Sequence, residues 1–163
     1  MPTRSLRIRK AQLGDLEAVK RLFDKHRAEL GFVLRPALIK SIEGAEILVA
    51  VQASRVVGCV HYHHRRDGRT TLYHIAVEEH RRRTGVGAAL IRALRDECDV
   101  RSASSIALKC PIELAANQFY KQLGFCLLRT ETGKHRQLNV WLLPLGGTKS
   151  LSDGTDSSCQ PCR

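Results

Sequence analysis

Nowhere in the 163 residues does the chain approach the ~18 consecutive apolar residues that a membrane-crossing helix needs. The opening Met1-Pro2-Thr3-Arg4-Ser5-Leu6-Arg7 runs into alternating charge and lacks the apolar core of a secretory signal. A cytoplasmic protein without a membrane partner is the expectation. Acidic side chains are scarce, with 16 Asp and Glu against 27 Lys and Arg, a formal net charge of +11. That deficit points to anionic partners, and the nineteen Arg against eight Lys favour phosphate or carboxylate, which a guanidinium fork matches. Six cysteines are scattered, four of them (Cys59, Cys98, Cys110, Cys126) in apolar runs, and these read as small buried hydrophobes of a reducing compartment. Only Cys159-Gln-Pro-Cys162 has the spacing of a ligand or redox pair. No second pair accompanies it, so no metal is expected. Internal repeats are absent.

What is present is one ordinary domain. At 43% apolar and 26% charged residues the chain is globular in composition, which excludes disorder, and a chain of this length buries roughly 70% of its unfolded surface. Residues 145–163 are rich in Gly, Ser, Thr and Asp and read as a flexible tail after a domain spanning 1–144. Lys149 and Arg163 cancel Asp153 and Asp156 there, leaving the excess charge on the domain.

Periodicity predicts α/β architecture in a single mixed sheet. Leu6-Arg7-Ile8-Arg9 alternates as a strand, and Leu13, Leu16, Val19 and Phe23 follow at helical spacing with Asp15 as candidate cap. A short helix over Pro36–Ile42 ends at Gly44. Strands over 46–51, 55–64 and 70–77 form an antiparallel meander, with Asp67-Gly68 read as a two-residue hairpin turn. Val86, Leu90, Leu94 and Cys98 then mark a helix before a strand at 105–109, which makes a parallel β-α-β crossover. A helix from Pro111 to Leu123, stopped by Gly124, and strands at 125–128 and 138–143 complete the domain.

The stretch joining the fourth strand to its helix is the most informative. Arg81-Arg82-Arg83-Thr84-Gly85-Val86-Gly87 turns through glycines into a helix N-terminus, where outward amides and the helix dipole make an anion site. It lacks the third glycine of a dinucleotide fingerprint and the Gly-Lys-Ser/Thr ending of a nucleotide P-loop.

Arg82-Arg83-Thr84-Gly85-Val86-Gly87 resembles the Arg/Gln-x-x-Gly-x-Gly/Ala motif of the GNAT superfamily of acetyl-CoA-dependent N-acetyltransferases. Asn117-Gln118-Phe119-Tyr120-Lys121-Gln122-Leu123-Gly124-Phe125 resembles that family's second signature, a helix carrying a Tyr and closing on Gly-Phe. The element order agrees with the family fold over residues 4–144. The resemblance implies that acetyl-CoA binds with its pyrophosphate on Arg82, Arg83, Thr84, Gly85, Val86 and Gly87. Its pantetheine arm then lies along Ile75, Ala76 and Val77, and the amide of Ile75 or Val77 polarises the thioester carbonyl. An amine attacks directly, and Tyr120 is the implied general acid toward the departing thiolate, its phenol (ordinary pKa ≈ 10) being protonated at neutral pH. Phe119 beside it is the better core candidate. Glu113 stands where many members carry an Asn that contacts the cofactor arm, and Asn117 is the alternative carrier of that role.

Many relatives place a Glu base near the end of the fourth strand, where this chain has His74. A two-residue turn at Asp67-Gly68 sets His61 opposite His74 and His63 on the same face. Facing imidazoles lower each other's pKa, which keeps one neutral and able to accept a proton. Glu78, Glu79 or a water chain is the alternative base. At the far end of that strand, Arg65, Arg66 and Arg69 lie roughly 25 Å from the glycine turn, too far to serve the same phosphates, and offer a surface to an anionic or RNA-associated acceptor. The expected enzyme is an N-acetyltransferase, a monomer or homodimer, acting on a primary amine of a small molecule or protein N-terminus. Toxin-like acetylation of aminoacyl-tRNA and a catalytically weak acyl-CoA-binding module are the alternatives.

Overall fold

Alternation along the central strands buries both of their faces, and helices cover each face in turn. The computed structural model describes residues 5–146; the tail beyond them, with Cys159 and Cys162, lies outside the described residues. Seven strands form one sheet in the order β1-β2-β3-β4-β5-β7-β6. They are β1 (Arg7–Lys10), β2 (Ile47–Gln52), β3 (Arg55–His64), β4 (Arg69–Val77), β5 (Ser105–Pro111), β6 (Cys126–Thr132) and β7 (Gln137–Pro144). Every neighbouring pair is antiparallel except β4 and β5, which are parallel across the predicted crossover.

The crossover helix, α4 (Val86–Val100), lays Val86, Leu90, Ile91, Leu94 and Cys98 on one face of the sheet against Leu48, Val60, Tyr62 and Leu72. On the other face α1 (Leu16–Lys25) and α3 (Arg35–Glu43) bury Val19, Leu22, Phe23, Leu38 and Ile42 against Ile47, Val49, Cys59 and Ala76. Because side chains alternate along a strand, His61 shares the α1 and α3 face with Cys59, and His74 shares it with Ala76. A four-residue helix, α2 (Arg27–Leu30), which periodicity did not reveal, lies between α1 and α3.

Three expectations need correction. The helical pattern beginning at Leu13 is split: Leu13–Asp15 is a 3₁₀ turn in which the Asp15 carboxylate accepts from the Gln12 amide and is held by Arg9. The helix predicted from Pro111 is α5 (Ala116–Gln122), because Pro111 is the last residue of β5 and pairs with Leu138. The hairpin tip is not a two-residue turn. Arg65 bonds back to the Arg69 carbonyl and Gly68 adopts φ +81°, closing a three-residue loop. A bulge at Tyr73 then adds one residue to β4, so His61 does face His74.

A candidate acyl-transfer cleft

The site begins where the sheet parts. Pairing between β4 and β5 covers only Arg69–Thr71 against Ser105–Ala107, while β5 runs on with β7 as far as Pro111 and Leu138. From Leu72 to Val77, β4 therefore has β3 on one side and no ladder partner on the other among the described residues. Backbone donors and acceptors along that edge demand a partner. Ile75 and Val77 pack toward the α4 side, and Ala76 is buried on the α1 side.

β4 leads into the arginine and glycine turn. Glu79–Arg81 makes one 3₁₀ turn, Arg83 adopts φ +62°, and Gly85 caps α4 at φ +90°. A Cβ built on Gly85 meets nothing within 4 Å, so the turn needs glycine for its left-handed backbone while the space above it stays open. Gly87 is constrained by packing instead: its Cβ would come within 3.0 Å of the Phe119 ring. That contact seats α5 against the start of α4.

His26, at the end of α1, is a site residue that sequence reasoning missed. Its Nε2 donates to the Val77 carbonyl at 3.2 Å, and its Nδ1 accepts from the Arg82 guanidinium at 2.9 Å. It thereby ties the end of α1, the end of β4 and the arginine and glycine turn together. No sequence signal could have found it, because the contact spans 51 residues to Val77 and 56 to Arg82.

Tyr120 is 6% exposed and Phe119 only partly buried, reversing the expectation that Phe119 would be the core residue. The phenyl rings of Phe119 and Phe125 flank it at 5.4 and 5.6 Å. Burial raises the phenol pKa well above its ordinary value, with a smaller contribution from Cys110, so the hydroxyl stays protonated at neutral pH. Asn117 is fully engaged within the protein. Its amide donates to the Pro111 and Leu114 carbonyls, both at 2.8 Å, and its oxygen accepts from Trp141 Nε1 at 2.9 Å and Asn139 at 3.1 Å. Glu113 points elsewhere, to an ion pair with Arg136 at 2.9 Å on the β6–β7 hairpin.

On the α1 and α3 face His61 Nδ1 lies 3.2 Å from His74 Nδ1, and His61 Nε2 lies 3.0 Å from Ser41 Oγ. His63 turns away to Glu46 at 2.6 Å. Both imidazoles of the pair have lowered pKa values; burial is the larger cause in each, and for His61 the facing ring adds to it. Desolvation thus exceeds the mutual repulsion that the sequence suggested. At the hairpin tip Asp67 pairs with Arg65 at 3.3 Å and Arg69 at 3.4 Å. Among the described residues no group of three His, Cys, Asp or Glu side chains is arranged to hold a metal, and no helix is long and apolar enough to cross a membrane.

The family model of the acetyltransferase (GNAT) domain matches residues 43–126, which carry β2 to α5 and the whole anion turn. No curated protein matches the sequence. Among solved structures, Ard1 from Thermoplasma volcanium superposes with a TM-score of 0.77 at 22% identity, covering 86% of this chain and 97% of that one. The ribosomal-protein-S18-alanine N-acetyltransferase from Escherichia coli gives 0.74 at 20% identity, covering 90% and 99%. YncA from Salmonella typhimurium, solved with its cofactor acetyl-CoA, gives 0.74 at 17% identity, covering 89% and 96%. At these identities the likeness to solved structures is one of fold.

Proposed function

This chain belongs to the GNAT acetyltransferase family, and from that premise we propose that it transfers the acetyl group of acetyl-CoA to a primary amine of a small molecule or a protein N-terminus. The observation that carries the reading is the half-paired β4 edge leading straight into a left-handed glycine turn open above its amides. The two features suit the two ends of one ligand: an amide-bearing arm completes the strand edge, and a pyrophosphate meets the turn. That a fold neighbour was solved with acetyl-CoA supports the same ligand here.

Acetyl-CoA supplies an activated thioester. The side chains and amides of Arg82, Arg83, Thr84, Gly85, Val86 and Gly87 hold its phosphates, and Ile75, Ala76 and Val77 align its arm. The amide of Ile75 or Val77 then polarises the carbonyl. Tyr120, protonated by virtue of its burial, gives its proton to the leaving sulfur. His74, neutral by virtue of its own burial, takes the proton of the acceptor amine. Asn117 acts indirectly, bracing the end of β5 and the start of α5 against β7 and so fixing where Tyr120 stands. A fold neighbour that is a ribosomal-protein-S18-alanine N-acetyltransferase supports a protein amine among the acceptors.

The test is binding followed by turnover. Acetyl-CoA at ~100 times its Kd should stabilise the fold by about 2.7 kcal/mol, a melting shift of several degrees. Coenzyme A release should then accompany acetylation in a panel of amines and N-terminal peptides. A protein that neither binds acetyl-CoA nor releases coenzyme A with any acceptor sinks the reading.

A further inference from the structure

Ser41 of α3, His61 of β3 and His74 of β4 form a single hydrogen-bonded file across the α1 and α3 face. Ser41 Oγ meets His61 Nε2 at 3.0 Å, and His61 Nδ1 meets His74 Nδ1 at 3.2 Å. Beyond His74 the file meets the Leu30 backbone, which favours a proton on the ring. Its protons can be placed by inventory. A backbone carbonyl only accepts, so His74 presents its remaining nitrogen, Nε2, to Leu30 as N–H. A neutral imidazole carries one N–H, so His74 Nδ1 is an acceptor and His61 Nδ1 its donor. His61 Nε2 must then accept, and Ser41 donates its hydroxyl. In this resting order His74 has no lone pair left for a substrate.

The reverse order keeps the Ser41–His61 and His61–His74 bonds and gives up the donation to Leu30. A serine hydroxyl both donates and accepts, so Ser41 can rotate to accept from His61 Nε2–H. His61 Nδ1 then accepts from His74 Nδ1–H, and the lone pair of His74 appears on Nε2 beside the Leu30 carbonyl. Two acceptors side by side form a seat for an ammonium group, which offers them an N–H each. Exchange with water at the two ends interconverts the orders. The geometry points to Ser41 and His61 as positioning residues that turn His74 into the base and keep it paired once it is charged. This inference rests on the acetyltransferase reading above.

The proton transfer balances within the file. The ammonium N–H bond breaks and the His74 Nε2–H bond forms; the amine keeps the electron pair it needs for attack, and the charge passes to His74. The imidazolium donates from Nδ1 to His61, which donates from Nε2 to Ser41, so no buried donor is left without an acceptor. Loss of the Ser41 oxygen strands the His61 Nε2–H whenever His74 Nδ1 carries a proton, which disfavours both the reverse order and the charged form. Around the file Glu46, bound to His63, favours charge on His61, His63 opposes it, and the Tyr73 ring lies 5.2 Å from His61. Phe23 packs on His74 at 5.3 Å and carries no charge.

The experiment compares wild type with Ser41→Ala, Ser41→Thr and His61→Gln in full pH profiles of kcat/KM on an amine that the wild type acetylates. Acetyl-CoA affinity and melting temperature serve as controls for the fold. In the wild type, activity rises with pH as His74 loses its proton. Ser41→Ala should lower the plateau about ten- to hundred-fold and move the rising limb toward lower pH, because the protonated form has lost a partner. Ser41→Thr keeps the hydroxyl and should restore both, and His61→Gln, which breaks the file but leaves His74 to titrate, should lower the plateau while a limb persists. Histidine ¹⁵N spectra of the free protein should show His61 as the Nδ1–H tautomer and His74 as the Nε2–H tautomer. A wild-type limb and plateau in Ser41→Ala, or both rings as Nε2–H tautomers, overturns the file while leaving the acetyltransferase standing. A wild type silent on every amine overturns both, and is told apart because no variant is needed to see it.

Discussion

Gly85 and Gly87 stand two residues apart in the anion turn and are held by different forces. Gly85 sits at φ +90° with open space where a side chain would go, whereas Gly87 has an ordinary backbone and the Phe119 ring against it. A β-branched residue at Gly85 therefore meets backbone strain and fills the open space where the proposed phosphate site lies. Gly85→Val should cost about 1–2 kcal/mol of stability and abolish the thermal shift given by acetyl-CoA. Gly85→Asn, whose side chain tolerates the left-handed region, should retain the stability of the parent. An undiminished shift in Gly85→Val, read by differential scanning calorimetry, would place the cofactor elsewhere. Tyr120 makes a second residue-scale case. Removing its hydroxyl leaves the ring packing between Phe119 and Phe125 untouched, so Tyr120→Phe should keep acetyl-CoA affinity and lower kcat by roughly 10²–10⁴. Single-turnover kinetics at saturating acetyl-CoA reads this directly, and wild-type turnover would return Tyr120 to a packing role.

At the scale of elements, Asn117 decides how β5, α5 and β7 meet. It satisfies the Pro111 carbonyl at the end of a strand and the Leu114 carbonyl in the following turn, and receives the indole N–H of Trp141, itself 5% exposed. Asn117→Ala leaves that indole without a partner and should destabilise the protein by about 2–4 kcal/mol in urea titrations. Acetyl-CoA binding should weaken with it, because α5 carries both Phe119 and Tyr120; a loss under 0.5 kcal/mol would contradict the bracing role. The same region shows what a sequence can and cannot carry. The helical period from Val86 and the glycine turn before it were legible because they depend on neighbours in the chain. The start of α5 was not, since Pro111 suits a first helical turn as well as a strand end, and only its pairing with Leu138 decides. The β3–β4 hairpin was legible by two compensating departures: a tip one residue longer on the β3 side, and a bulge at Tyr73 that restores the register of His61 and His74. His26 lay beyond reach altogether, because its role exists only once α1 is docked beside the end of β4.

Over the whole molecule the excess of +11 includes two arginine clusters that barely sense each other. The arginine-rich glycine turn follows the C-terminal end of β4, and Arg65, Arg66 and Arg69 stand at the other, roughly 25 Å away along an extended strand. The screening length at physiological salt is about 8 Å. The tip is also partly self-neutralised, since Asp67 lies between the Arg65 and Arg69 guanidinium groups. Changing all three arginines to Gln should therefore leave acetyl-CoA affinity unchanged. For a small amine or a free peptide terminus, kcat/KM should stay near the parent value and depend only mildly on ionic strength. An aminoacyl-tRNA or RNA-borne acceptor behaves differently, because each phosphate contact releases counterions and contributes up to about one unit to the slope of log affinity against log salt. Acceptor turnover measured from low to physiological salt, for parent and triple variant side by side, separates the two: coincident shallow curves are the expected result, and a steep parental slope that flattens in the variant would move the acceptor into the nucleic-acid class.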